Sequence, residues 1–104
     1  MKQLSLPGRA SAAVALLCAV LLLGGCAAQQ AFRDGQRKVA AGELRAALGD
    51  FGRASELEPG SAEYRLALTR TRDRLLAQQL ARGEQALELG QYDAARRAFE
   101  EALA

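Results

Sequence analysis

The chain has 104 residues, half of them hydrophobic and a quarter charged, with no His, no Trp and two Cys, so it holds one small domain at most. Without an imidazole, and with its ten glycines scattered along the chain, it offers no His-based nucleophile–base pair, no His metal site and no Gly-rich phosphate cradle. The formal charge of +2 traces to Lys2 and Arg9, because the first 25 residues hold no acid and residues 26 to 104 carry 12 basic and 12 acidic side chains; no net field draws that part to nucleic acid or anionic lipid.

The chain opens with a basic start, Lys2 and Arg9, followed by an unbroken apolar run from Ala12 to Leu23 and by Gly24 and Gly25 before Cys26. This is the layout of a secretory leader spanning residues 1–25, expected to be removed. The run has 12 residues, and counting on to Ala28 gives 17 with two glycines inside, against the roughly 20 that span a bilayer core. An uncleaved anchor is the alternative.

Leu23-Gly24-Gly25-Cys26 resembles the lipobox of bacterial lipoproteins. The resemblance implies that Cys26 receives a diacylglycerol on its thiol, that the chain is cut before it, and that the new amine is acylated. Small residues suit a protease that needs an unobstructed extended backbone. Several acyl chains at about 0.8 kcal/mol per buried methylene hold a protein on its membrane, whereas one binds reversibly. Ala27, standing where an Asp would retain such a lipoprotein in the inner membrane, implies the outer membrane, with the protein facing the periplasm. Cys18 lies within the leader, so the mature chain has no disulfide. Residues 26–30 are expected to form the lipidated N-terminus and a short linker.

From Ala28 on, 77 residues hold a single Pro and are rich in Ala, Leu, Arg, Glu and Gln, which predicts an all-α fold. Gly42 separates a helix of about Ala28–Ala41 from one of about Leu44–Leu57, and Glu58-Pro59-Gly60 ends the second. Ser61 then caps a third. Ala28, Ala31, Phe32, Gly35 and Val39 follow helical spacing, as do Leu44, Ala47, Leu48, Phe51, Ala54 and Leu57, giving each helix one apolar face. The lettering Gly35, Gly42, Leu44, Ala47, Phe51, Ala54 recurs 48 residues later as Gly83, Gly90, Tyr92, Ala95, Phe99, Ala102, an internal repeat.

These residues resemble the tetratricopeptide repeat, a helix-turn-helix unit of about 34 residues. Gly35, Gly42, Ala47, Phe51, Ala54 and Pro59 match its small, turn, small, aromatic, small and terminating positions, and Gly83, Gly90, Ala95, Phe99 and Ala102 match them again. Residues 28–61 form a first hairpin, 62–75 an extra helical segment, and 76–104 an incomplete second hairpin of an α-solenoid fragment. The extra 14 residues turn about 1,400°, about 40° short of four turns, so they prolong a helix without rotating its apolar face. One helix of about Ala62–Leu89, about 42 Å long, is predicted. Its middle, Thr69 to Arg74, has no apolar residue and is expected to be wet on every side, or to meet a neighbour from outside the chain. The chain stops about one turn before a matching terminator, from which further sequence is expected, and two hairpins without disulfide or metal are expected to be marginally stable or completed by a partner.

The tetratricopeptide resemblance implies protein docking on a concave face at Gln29, Phe32, Gln36, Val39 and Ala40 and at Ala77, Leu80, Glu84, Leu87 and Glu88. Val39, Leu80 and Leu87 also read as packing residues; Phe32, Gln36, Leu80, Glu84 and Glu88 are the partner-binding candidates. Arg65, Arg70, Arg72 and Arg74 read as solvation of the long helix, and no aromatic is interleaved with them for base stacking. Glu56/Glu58 and Glu100/Glu101 read as surface charge. No catalytic or metal-ligating residue, no cofactor beyond the lipid on Cys26 and no small-molecule substrate is expected. The expected partners are other envelope proteins and, through the lipid, the membrane, in a secretion or pilus-assembly machine. Ala31-Phe32-Arg33-Asp34-Gly35 and Pro59-Gly60-Ser61-Ala62-Glu63-Tyr64 also resemble the region preceding the ring domains of type II secretion-like secretins; a passive envelope spacer is the other alternative.

Overall fold

The computed structural model describes residues 8–104, and Lys2 with the rest of the first seven residues lies outside them. The described chain is all-α: α1 (Gly8–Ala40), α2 (Leu44–Leu57), α3 (Ala62–Glu88) and α4 (Tyr92–Leu103), with no strand among the described residues. Consecutive helices pack on one another, α1 on α2, α2 on α3 and α3 on α4. The molecule measures 88 × 22 × 18 Å, much of its length being α1 itself, about 50 Å at 1.5 Å per residue.

Two turns fix the hairpins, and they are built alike. Gly42 and Gly90 adopt the left-handed conformation, with φ of 79° and 71°, a region that costs a residue with a Cβ about 1–2 kcal/mol. Gly42 N–H donates to the Val39 carbonyl and Glu43 N–H to Lys38; forty-eight residues later Gly90 N–H donates to Leu87 and Gln91 N–H to Ala86. Each pair satisfies carbonyls that the end of the helix would leave open. The third turn follows Pro59, and Ser61 caps α3 by accepting a hydrogen bond from Tyr64 N–H at 3.3 Å, with Glu63 in the first turn opposite the helix dipole. Arg65 donates to the carbonyl of Pro59, so this side chain braces the turn as well as solvating the helix.

Small residues set the contact between helices. The first hairpin buries Ala28, Ala31, Ala47 and Ala54 almost completely, together with Leu44 and Phe51. Gly35 and Gly83 each give room to a phenylalanine from the facing helix, Phe51 and Phe99 respectively. Among the described residues no large side chain is fully buried, so the core is thin, as expected of a short stack of helices.

Three expectations need correction. Residues 26–30 are not a linker: α1 runs unbroken through Gly24, Gly25 and Cys26, and Ala28 is completely buried. The leucines before the two glycines and the alanines and glutamines after Cys26 favour helix strongly enough to carry it across the glycines. The stretch Thr69–Arg74 is not wet on every side, because Thr71 is buried on α3. Its hydroxyl donates to the Ala67 carbonyl one turn back at 2.8 Å, which leaves the methyl group free to pack. Leu57, assigned to the apolar face of α2, is 40% exposed at the end of its helix.

Candidate lipid-anchor and protein-docking sites

Cys26 lies on α1 where an exposed apolar helix becomes part of a packed body. Upstream, Val14, Leu16, Leu17, Val20, Leu21, Leu22 and Leu23 are all exposed, on every side of the helix. Among the described residues α1 is the one helix long and apolar enough to cross a membrane, with an 18-residue window of mean hydropathy 2.3 and none of that window buried. Because the helix continues through the glycines, the window exceeds the uninterrupted run in the sequence. The Cys26 side chain is exposed and unpaired, as is that of Cys18. No neighbouring atom lies within 4 Å of where a side chain on Gly24 would begin, and Gly25 faces Glu58 across the hairpin.

Two residues downstream the environment inverts. Ala28, Ala31, Ala54 and Tyr64 form one apolar cluster with Phe32 packed against it. The Phe32 ring sits 5.6 Å from Phe51 and 4.8 Å from Tyr64, centroid to centroid and tilted in both cases, the separations at which aromatic pairs attract. Tyr64 thereby ties α3 to α1. Burial, reinforced by the carboxylates of Glu58 and Glu63, raises the Tyr64 phenol above its ordinary value. Near the other end of the hairpin the Lys38 ammonium stands 2.7 Å from the Asp50 carboxylate, a contact that raises the Lys38 value.

The docking candidates separate into different roles. Phe32 is half-buried, its ring packed against Phe51 and Tyr64. Gln36, Glu84 and Glu88 are exposed on α1 and α3, and among the described residues no hydrogen bond or ion pair joins Gln36 to either glutamate. Leu80 and Leu87, which read also as packing residues, are 42% and 46% exposed; Val39, the counterpart of Leu87 in the first hairpin, is half-buried. Two buried polar residues carry no signal in the apolar spacing: Thr71, and Gln79 at 4% exposure. The 48-residue spacing marks Gln79 as the counterpart of buried Ala31, a signal that its polar side chain concealed. Among the described residues, no three His, Cys, Asp or Glu side chains gather as a metal site would require. Compared with protein-family models, curated proteins and solved structures, the chain matches none.

Proposed function

We propose that the chain is an outer-membrane lipoprotein, anchored by acyl groups on Cys26 and facing the periplasm, whose tetratricopeptide-like hairpins dock other envelope proteins in a secretion or pilus-assembly machine. The observation that carries the anchor is the abrupt change at Cys26, from a helix exposed on all sides to a residue, Ala28, with no exposure. A leader that is removed explains why the first stretch has nothing packed against it. The two glycines before Cys26 lower the cost of unwinding the helix there, by up to about 1 kcal/mol each relative to alanine, and so help a protease reach an extended backbone.

The adaptor half of the reading draws on the duplicated geometry: glycine beneath phenylalanine and a left-handed glycine at the turn, each repeated at the same spacing. Stacked hairpins of this kind expose long faces rather than an enclosed pocket, which suits binding of other helices.

Mass spectrometry of the protein extracted from membranes tests the anchor. A polypeptide beginning at Cys26 and carrying acyl mass is expected. One still beginning at Met1 without lipid overturns the lipoprotein reading and makes α1 a membrane-crossing segment. Crosslinking in intact cells tests the adaptor: envelope proteins are expected to be captured, and adding a charge with Gln36→Lys and reversing one with Glu84→Lys is expected to reduce their yield. Unchanged capture overturns docking at those residues in favour of a passive spacer.

A further inference from the structure

The internal repeat makes the molecule its own control for a cleft at the turn end of each hairpin. In the first hairpin Asp34, Arg37, Lys38, Ala41 and Glu43, all from α1 and the turn after it, line an open cleft of ≈ 270 Å³. Its basic side chains are matched within the chain: Arg37 pairs with Asp34, and Lys38 stands 2.7 Å from Asp50. The five counterparts 48 positions on, Arg82, Gln85, Ala86, Leu89 and Gln91, line a cleft of ≈ 450 Å³ between α3 and α4. There the chemistry is changed. Arg82 stands in place of Asp34 and Ala98 in place of Asp50, so both acids are gone, and Arg97 replaces Gly49. Among the described residues neither Arg82 nor Arg97 has an ion-pair partner. The one carboxylate on the lining, Glu101, stands 4.0 Å from Arg45. Gln79 lines the same cleft and is 4% exposed. Among the described residues no hydrogen bond engages its side-chain amide, and a buried amide without a partner is costly.

We propose that this cleft binds an extended acidic segment of another protein, its carboxylates held by Arg82 and Arg97 and a peptide group by Gln79. Charge selects the carboxylates, because a guanidinium fork matches the two oxygens of a carboxylate and the cleft has lost the acids that neutralise its counterpart. Length selects a chain over a small ion. From Gln79 to Leu89 the cleft follows α3 for about 15 Å, the span of about four or five extended residues at about 3.3 Å each. The amides of Gln79, Gln85 and Gln91 each offer a donor and an acceptor, the two groups that a peptide unit presents in return. In the first hairpin the segment that follows, α3, lines none of the equivalent cleft, so at this position the fold itself supplies no cover. Neither Gln36 nor Glu84 lines the cleft, which makes it a separate site. Its chemistry stands on its own residues; that the acidic segment belongs to an envelope protein rests on the adaptor reading.

The test uses the natural protein, taken from membranes into phosphatidylcholine nanodiscs that carry no net lipid charge, with fluorescein-labelled hexaglutamate as the probe. Fluorescence anisotropy is expected to show binding that Arg82→Glu weakens at least about tenfold. Gln79→Leu, which alters no charge, is expected to weaken it at least about threefold. Arg70→Glu makes the same change of charge on α3 outside the cleft and is expected to leave binding unchanged. Arg82 and Arg70 are both exposed, so this pair remains decisive if Gln79→Leu impairs folding. Absence of hexaglutamate binding overturns the proposal, as does an equal loss in Arg70→Glu, which reports bulk charge only. Hexaglutamine binding as tightly as hexaglutamate overturns the role of the arginines, and free glutamate binding as tightly overturns the peptide assignment in favour of a small-anion cleft. Envelope proteins still captured in cells through Gln36 and Glu84 while hexaglutamate fails to bind leave the adaptor reading standing and remove only this cleft.

Discussion

Gly35 and Phe51 meet so closely that a methyl group on Gly35 would stand 2.6 Å from Cε1 of the ring, and Gly83 and Phe99 repeat the relationship with 2.6 Å to Cζ. The absence of a side chain at one position is what seats the aromatic at the other. Helix propensity alone favours alanine at both glycines, so the energetic reason for glycine is packing between helices. Gly35→Ala is therefore expected to destabilise the protein by about 1–3 kcal/mol, measured by urea denaturation, and Phe51→Leu in the same chain to recover part of that loss. Gly83→Ala is expected to cost less, because Phe99 is only half-buried and Phe51 almost fully buried, leaving Phe99 freer to move.

The turn glycines have a different physical role and a different signature. Gly42→Ala and Gly90→Ala place a Cβ in a left-handed backbone, with no neighbouring atom within 4 Å to clash with it. Each is expected to cost about 1–2 kcal/mol, and Asn at either site about half of that, because its short polar side chain tolerates this conformation. Equal losses for Ala and Asn in thermal denaturation would refute the backbone explanation.

Alkaline stability depends on Tyr64. Its phenol is held above the ordinary value by burial, so the folded state favours the neutral form. That contribution is complete below the unfolded value of about 10 and is lost as pH rises through the folded one. Lys38, raised by its contact with Asp50, loses its contribution in the same direction. Stability is expected to fall above pH about 10, less steeply in Tyr64→Phe, which keeps the ring but cannot ionise. Identical pH profiles for the two proteins would refute the assignment.

Thr71 separates shape from polarity. Thr71→Val removes a hydroxyl that serves only its own helix and is expected to change stability by less than about 1 kcal/mol. Thr71→Asp brings a charge into the same buried place and is expected to cost at least about 2 kcal/mol. A large loss with valine, measured in the same urea series, would show that the hydroxyl does more than bond to Ala67.

Cys26→Ala is expected to abolish incorporation of labelled fatty acid and to move the chain from the detergent-rich to the aqueous phase on Triton X-114 partition, while Cys18→Ala changes neither. Retained label in Cys26→Ala would place the lipid elsewhere.

Much of the fold was legible because its punctuation is local. Gly42 and Pro59 bracket α2, Ser61 starts α3, and the expected span Leu44–Leu57 is the observed one. The 48-residue spacing also located both glycine–phenylalanine pairs. What the sequence left ambiguous concerns neighbours. Phe32 and Leu80 occupy equivalent positions, but Phe32 packs against Tyr64 of α3 whereas Leu80 is 42% exposed, a difference set by neighbours that the matching spacing does not show. Thr71 looked like part of a polar surface because a composition count overlooks a hydroxyl turned back onto its own helix. At residues 26–30 a cleavage motif suggests a loop, whereas the helix formers around it keep the backbone wound.

That winding matters for how the molecule sits in the cell. On the proposed lipoprotein reading, acyl chains on Cys26 with a packed residue, Ala28, only two positions away would leave almost no slack between the bilayer and the folded body. A tether of that kind would hold the helices close to the membrane rather than let them swing on a leash.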